Sequence, residues 1–271
     1  MKSMIRALGI CSLIVLINCT LKGQAVQFQQ LKWIDLTYPF SDKTLYWPNN
    51  PKGFKLDTLH DGPSEKGFYY SSFGFCAPEH GGTHVDAPVH FAQGKKTMDQ
   101  LTVDQLTGDA VVIDVSSKAM SNRDYLITVD DLLNWEKTNG PISANTIVFF
   151  RTGYGKYYPD RKQYFGTDLR GDEAIPQMHF PGVGEELALF LTSSRKVKAV
   201  GIDTPTIDYG QSDMFKAHRI ILKEDIPVFE NVANLDKLPA RGIYVVALPM
   251  LIEKGSGGPL RIIAGVPPST P

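Results

Sequence analysis

The chain has 271 residues, 42% of them apolar, and a formal charge of −1, which suits one large globular domain able to bury about three quarters of its unfolded surface. With no Lys/Arg cluster to neutralise phosphates, nucleic acid is excluded as a partner. Of the three cysteines, Cys11 and Cys19 fall in an N-terminal export signal, so Cys76 has no intrachain partner and stability must come from a core.

That signal is the first predicted element. Lys2 and Arg6 precede an apolar run from Ala7 to Ile17, and Gly23 and Ala25 form a small-residue cleavage site. The run falls short of the roughly 20 apolar residues a bilayer span needs. Cleavage after residue 25 predicts a secreted or periplasmic protein, residues 26–271, with no membrane association afterwards. A lipoprotein built on Cys19 is the minor alternative, because Leu16-Ile17-Asn18 lacks the small residue such a site carries. The remaining chain holds 25 basic and 29 acidic residues, since Lys2, Arg6 and Lys22 leave with the signal.

Farther along, Pro39, Pro48, Pro51, Pro63 and Pro78 break the first half into short extended pieces and turns. Runs rich in β-branched residues at 32–38, 110–115, 146–151, 197–203, 242–248 and 260–266 predict buried strands. Helix patterns lie at 128–135, where Thr128 caps an acidic first turn, and at 184–195, where Glu comes early and Arg late. The fold class expected is α/β, a single domain with a β-rich N-terminal part. The glycines make neither a dinucleotide nor a phosphate loop, and Ser256 in KGSGGP lacks the glycine two residues before it that a nucleophile elbow requires.

Chemistry concentrates in residues 79–91, EHGGTHVDAPVHF, which hold three of the six histidines. Gly81, Gly82 and Pro88 disfavour a helix. In a strand, His84 and Asp86 share a face, and the glycine turn can fold His80 back towards them. Two imidazoles and a carboxylate suit zinc, manganese or iron, with positions left open for water and substrate. The plainer alternative, unrelated polar residues in a surface loop, accounts poorly for this clustering. Beyond Pro88, His90 is assigned as general base, with a further ligand as fallback.

At these residues the sequence resembles the cyclase superfamily of metal-dependent hydrolases, which includes bacterial kynurenine formamidases and isatin hydrolases. His80, Gly82, Thr83, His84, Asp86, Pro88 and His90 fill the fixed positions of its motif H-x-G-T-H-x-D-x-P-x-H. His218-Arg219 and Glu230-Asn231 match a second landmark, and Trp47-Pro48 a third. The resemblance, from about 34 to 263, implies a swivelling β/β/α fold and a homodimer. It implies that Asp86 and Glu230 bridge two metals with His218 on the second. Isatin hydrolases carry one manganese, so Mn2+ or Zn2+, one or two ions, is expected. The tract 156–182 is closer to the isatin hydrolase branch.

A divalent ion lowers the pKa of bound water from about 16 towards 7 and polarises a carbonyl, a combination that cleaves amides. The expected activity is metal-dependent hydrolysis of a small aromatic amide, either isatin-like and cyclic or an aryl formamide such as N-formylkynurenine. Trp47 is expected to stack the substrate ring, with His179 and Tyr154 as further candidates for the pocket. His179 could equally cap a turn. His60 is read as a solvated turn residue, Cys76 as a small buried apolar group, and Arg151 as half of a structural ion pair. The rival reading is a secreted protein that binds a metal or small ligand without turnover.

Overall fold

Apolar residues at consecutive positions in 110–113 and 147–150 demand burial on both faces of their strands. The computed structural model, which describes residues 28–50 and 52–268, supplies a layer for each face. The export signal expected at 1–25 lies outside the described residues.

Among these residues the strands are β1 (Lys32–Asp35), β2 (Lys55–Pro63), β3 (Tyr69–Cys76), β4 (His84–Asp86), β5 (Thr107–Asp114), β6 (Leu126–Ile127), β7 (Ile147–Arg151), β8 (Gly182–Val183), β9 (Ala199–Ile202), β10 (Val228–Glu230), β11 (Ile243–Pro249) and β12 (Gly257–Val266). The α-helices are α1 (Val103–Leu106), α2 (Ser116–Ser121), α3 (Val129–Asn139), α4 (Arg161–Phe165), α5 (Glu185–Phe190) and α6 (Lys216–Lys223). The main sheet runs β1-β12-β11-β5-β7-β9-β10-β4, and β12 also pairs with β4. That pairing curls the sheet into a barrel-like closure. Strands β5, β7, β9 and β10 are parallel neighbours, whereas β4 is antiparallel to β10.

Alternation divides the core. Ala110, Val112, Ile147 and Phe149 face one apolar cluster, shared with Val85, Val245 and Ile262. Val111, Ile113, Val148 and Phe150 face the other, which packs against Leu132 of α3, Leu187 of α5 and Ile221 of α6. Each such valine, leucine, isoleucine or phenylalanine side chain, fully buried, contributes about 1.5–3 kcal/mol. The cap on α3 is as expected: Thr128 accepts from Asp131 N, and the Asp131 side chain reaches back to Thr128 N. Helix α5 continues into a π-helical turn, Leu191–Arg195, whose Arg195 forms a two-pronged pair with Glu136 at 2.8 and 2.7 Å.

All six expected runs hold strands, and the N-terminal part is β-rich, but β1 at the sheet edge is not buried, with Lys32 and Trp33 exposed. The proline-broken pieces, however, include a long hairpin of β2 and β3 with a bulge near Thr58. Two expectations are corrected on it. Cys76 is exposed at the end of β3, because neither face of the hairpin is covered by the main sheet. His60 lies within β2, its ring stacked 5.5 Å from Tyr70, and not in a turn. Arg151 pairs with Asp114 at 2.8 Å, as its structural reading requires.

Candidate metal centre

The three residues of β4 are pinned on both edges. Its register against β10 sets His84 opposite Glu230, and the start of β12 lies along the other side with Gly257 opposite Asp86. Cross-strand partners share a face, so the pairing brings Glu230 to the same side as His84 and Asp86. The turn before β4 needs its glycines. Gly82 has φ +57°, and a Cβ on Gly81 would lie 2.1 Å from the Tyr46 ring. His80 is thereby folded back, with Nδ1 2.6 Å from Asp86 Oδ1.

His218 enters from the first turn of α6. Asp208 holds that turn by accepting from Ala217 N (3.0 Å) and His218 N (3.1 Å), and it orients the ring through His218 Nδ1 at 2.6 Å. His218 Nε2 then lies 3.1 Å from both Asp86 Oδ2 and Glu230 Oε1. On the other side, His84 Nε2 lies 3.3 Å from Asp86 Oδ1 and 3.4 Å from Glu230 Oε2. His84 Nδ1 donates to Gly82 O at 3.0 Å, which leaves Nε2 as the free lone pair. Two donor sets result, His80/His84/Asp86 and Asp86/His218/Glu230, the donor atoms of each all within 4.8 Å of one another.

Electrostatics shows what this cluster lacks. Burial opposes charge on His84, yet its hydrogen bonds to Asp86 and Glu230 lift its pKa to about 10. Burial likewise opposes charge on His218, but Glu230 and bonds to Asp208 and Asp86 raise it well above the usual imidazole range. Burial would raise Asp86, whereas its interactions with His80, His218 and His84 hold it well below the carboxylate range. Two buried carboxylates thus draw protons onto their neighbours, and among the described residues no Lys or Arg lines the cavity above them. Nitrogen and oxygen donors in a buried, cation-poor centre fit a divalent metal. Asp86 and Glu230 each turn one oxygen towards either side.

His90 sits on the single turn Pro88–His90, its ring stacked on His80 with centroids 3.8 Å apart. Among the described residues its ring nitrogens have no hydrogen-bond partner, and burial pushes its pKa down to about 4, leaving it neutral at pH 7. Above the centre opens a cavity of about 250 Å³, with Trp47, Phe91, Phe165 and Phe215 among its walls. Trp47 stands 6.4 Å from Phe165 and 6.3 Å from Phe215, ring to ring.

All five predicted donors, His90 and Trp47 are therefore brought together, whereas two predicted pocket residues are not. His179 is turned away, with Nδ1 2.9 Å from Asp124, because Arg123 and Gln211 tie its segment elsewhere. Tyr154 is buried in a third apolar cluster, with Tyr164 and Phe165, behind the cavity wall. The sequence reading missed Phe91, Phe165 and Phe215 as walls. Phe91 and Phe215, one and three positions from His90 and His218, were the legible signal.

Residues 34–209 match the family described as putative cyclase. The chain is 35% identical to an isatin hydrolase from Roseibium aggregatum over 197 residues, 70% of this chain and 72% of the relative. It is 26% identical to a kynurenine formamidase from Bacillus cereus over 86% of this chain and 96% of the relative. A solved structure of an isatin hydrolase bound to the product analogue thioisatinate superposes with a TM-score of 0.80 at 28% identity, covering 89% of this chain and 94% of that one. With the motif, the fold and the buried donor sets agreeing, the chain belongs to the putative cyclase family.

Proposed function

We propose that this metal-dependent hydrolase opens the amide C–N bond of a small, neutral, cyclic aromatic amide of the isatin type. The observation that carries the reading is the meeting of His80, His84, Asp86, His218 and Glu230 at the floor of an aromatic cavity that, among the described residues, no Lys or Arg lines. A void of about 150 Å³ holds benzene, so 250 Å³ is room for a fused bicycle. N-formylkynurenine carries an α-carboxylate, and burying it unpaired beside Asp86 and Glu230 costs several kcal/mol.

When bound, the divalent cation supplies Lewis acidity, activating water and polarising the amide carbonyl. His80, His84 and Asp86 would hold it, and Asp86, His218 and Glu230 form the place for a second ion; zinc and manganese both suit these donors. Trp47 and the three phenylalanines clamp the ring and exclude bulk water. His90, neutral and with both ring nitrogens free, takes the proton of the attacking water and delivers it to the departing nitrogen. Assaying isatin and N-formylkynurenine side by side, with Mn2+ and with Zn2+, tests the reading. Faster turnover of isatin is expected; preference for the formamide overturns the substrate, and hydrolysis undiminished by chelation overturns the metal.

Residues 1–25 are read as a cleaved export signal and 26–271 as the secreted or periplasmic domain, supported by Lys2, Arg6 and the apolar run after them. A homodimer is supported by the uncovered hairpin face carrying Leu56, Tyr69, Phe73 and Phe75.

A further inference from the structure

We infer that Glu79 and Ser256 form a positioning relay for His80, one that fixes its tautomer so that Nδ1 points bare at the cation site. The inference rests on the metal reading above. Ser256, in KGSGGP, immediately precedes β12 and meets His80 across 176 positions of chain. Counting hydrogens assigns the relay. Ser256 Oγ lies 2.5 Å from Glu79 Oε2, an acceptor only, so the single hydroxyl hydrogen goes there. Ser256 N–H donates to the same oxygen at 3.1 Å. With its hydrogen committed, Ser256 Oγ can only accept from His80 Nε2, 3.0 Å away. With the cation bound, His80 therefore keeps its proton on Nε2, and Nδ1, which without the cation shares a proton with Asp86 Oδ1 at 2.6 Å, offers its lone pair.

The flanking glycines make the slot. A Cβ on Gly257 would come 2.4 Å from His80 Cε1, and one on Gly255 would come 2.8 Å from Glu79 Oε1. The slot is tied to the ligand strand, because Ala87 N–H donates to Ser256 O at 2.9 Å. Since His80 stacks on His90, the relay also sets where the general-base ring lies. His84 and His218 have their far nitrogens anchored by Gly82 O and Asp208; Glu79–Ser256 completes the set for the third imidazole, through a hydroxyl.

Metal-free wild type, Ser256→Ala, Glu79→Ala and the double variant are titrated with Zn2+ by calorimetry, and their metal-free melting is recorded. Loss of an anchor behind a metal-binding histidine typically weakens metal affinity by about 10–100-fold. Each single variant is expected to lose that much, the double no more than either because the two act in series, with metal-free melting unchanged. Glu79→Gln, which keeps an oxygen acceptor for Ser256, is expected to retain most of the affinity. Wild-type zinc affinity in Ser256→Ala and Glu79→Ala, or additive losses in the double variant, overturns the relay. A wild type that takes up neither zinc nor manganese overturns the metal reading instead.

Discussion

At one end of the main sheet Asp86, Glu230, His84 and His218 are 3% exposed or less, while on the β2–β3 hairpin Leu56, Tyr69, Phe73 and Phe75 stand 45–69% exposed. The register sets Leu56 opposite Phe75, and alternation puts Tyr69, Phe73 and Phe75 on one side of β3, so the apolar residues share a face. One region buries charge and the other exposes aromatic surface. Both are costly alone: buried ions lose several kcal/mol of hydration each, and an uncovered two-stranded ribbon is marginal in water. The first offers nitrogen and oxygen donors that suit a divalent cation, and the second is the face on which the proposed homodimer would form.

The sharpest way to break this comparison is to remove the cation. Exhaustive chelation is expected to abolish hydrolysis and lower the melting temperature, and added Mn2+ or Zn2+ to restore both; a ligand at 100 times its Kd stabilises by about 2.7 kcal/mol. Next, His90→Ala is expected to reduce kcat by about 10²–10⁴-fold with metal content by elemental analysis near normal, whereas loss of the metal would make His90 a ligand. On the hairpin, Phe73→Ser with Phe75→Ser is expected to weaken self-association about 100-fold by light scattering. The same change should shift folding stability by about 0.5 kcal/mol or less, as at other exposed sites. In the cavity wall, Trp47→Ala is expected to lower kcat/KM about 3–10-fold, the worth of one aromatic contact.

A buried carboxylate that the protein itself completes supplies the control. Asp131 is also a buried carboxylate, but the protein completes it, with Lys118 Nζ at 2.5 Å, Tyr125 OH at 2.7 Å and Thr128 N at 2.8 Å. Burial would raise its pKa, yet the bond from Lys118 and those from Thr128 and Tyr125 hold it below the usual carboxylate value. A folded pKa that is depressed contributes stability above the unfolded carboxylate pKa, lost as pH falls through the folded value. Asp131→Asn is therefore expected to cost about 1–2 kcal/mol near pH 7, with the deficit in melting temperature shrinking at acid pH and unaffected by chelation.

How much was legible depends on range along the chain. His80, His84 and Asp86 could be read as a ligand set because a strand's two-residue period and a glycine turn are local rules. His218 and Glu230 were reached only through resemblance to a family, since nothing in their own neighbourhoods points at Asp86. His179 and Tyr154 were misplaced for the same reason: an aromatic or imidazole beside a turn does not say which side of a wall it occupies. The hairpin was underestimated because prolines were read as breaks, when Pro63 ends β2 at the turn.

Sequence by itself determined the strands β5, β7, β9, β11 and β12 and the helices α3 and α5, the excess of acidic residues and the single cysteine of residues 26–271, and the convergence of three candidate metal donors, all set by composition or by neighbours a few positions apart. Tertiary structure alone decided that β4 lies between β10 and β12, and so that Glu230 faces His84 and Ser256 meets His80. Those pairings join residues more than a hundred positions apart, and only the packing of the closed sheet, with its one register, selects them.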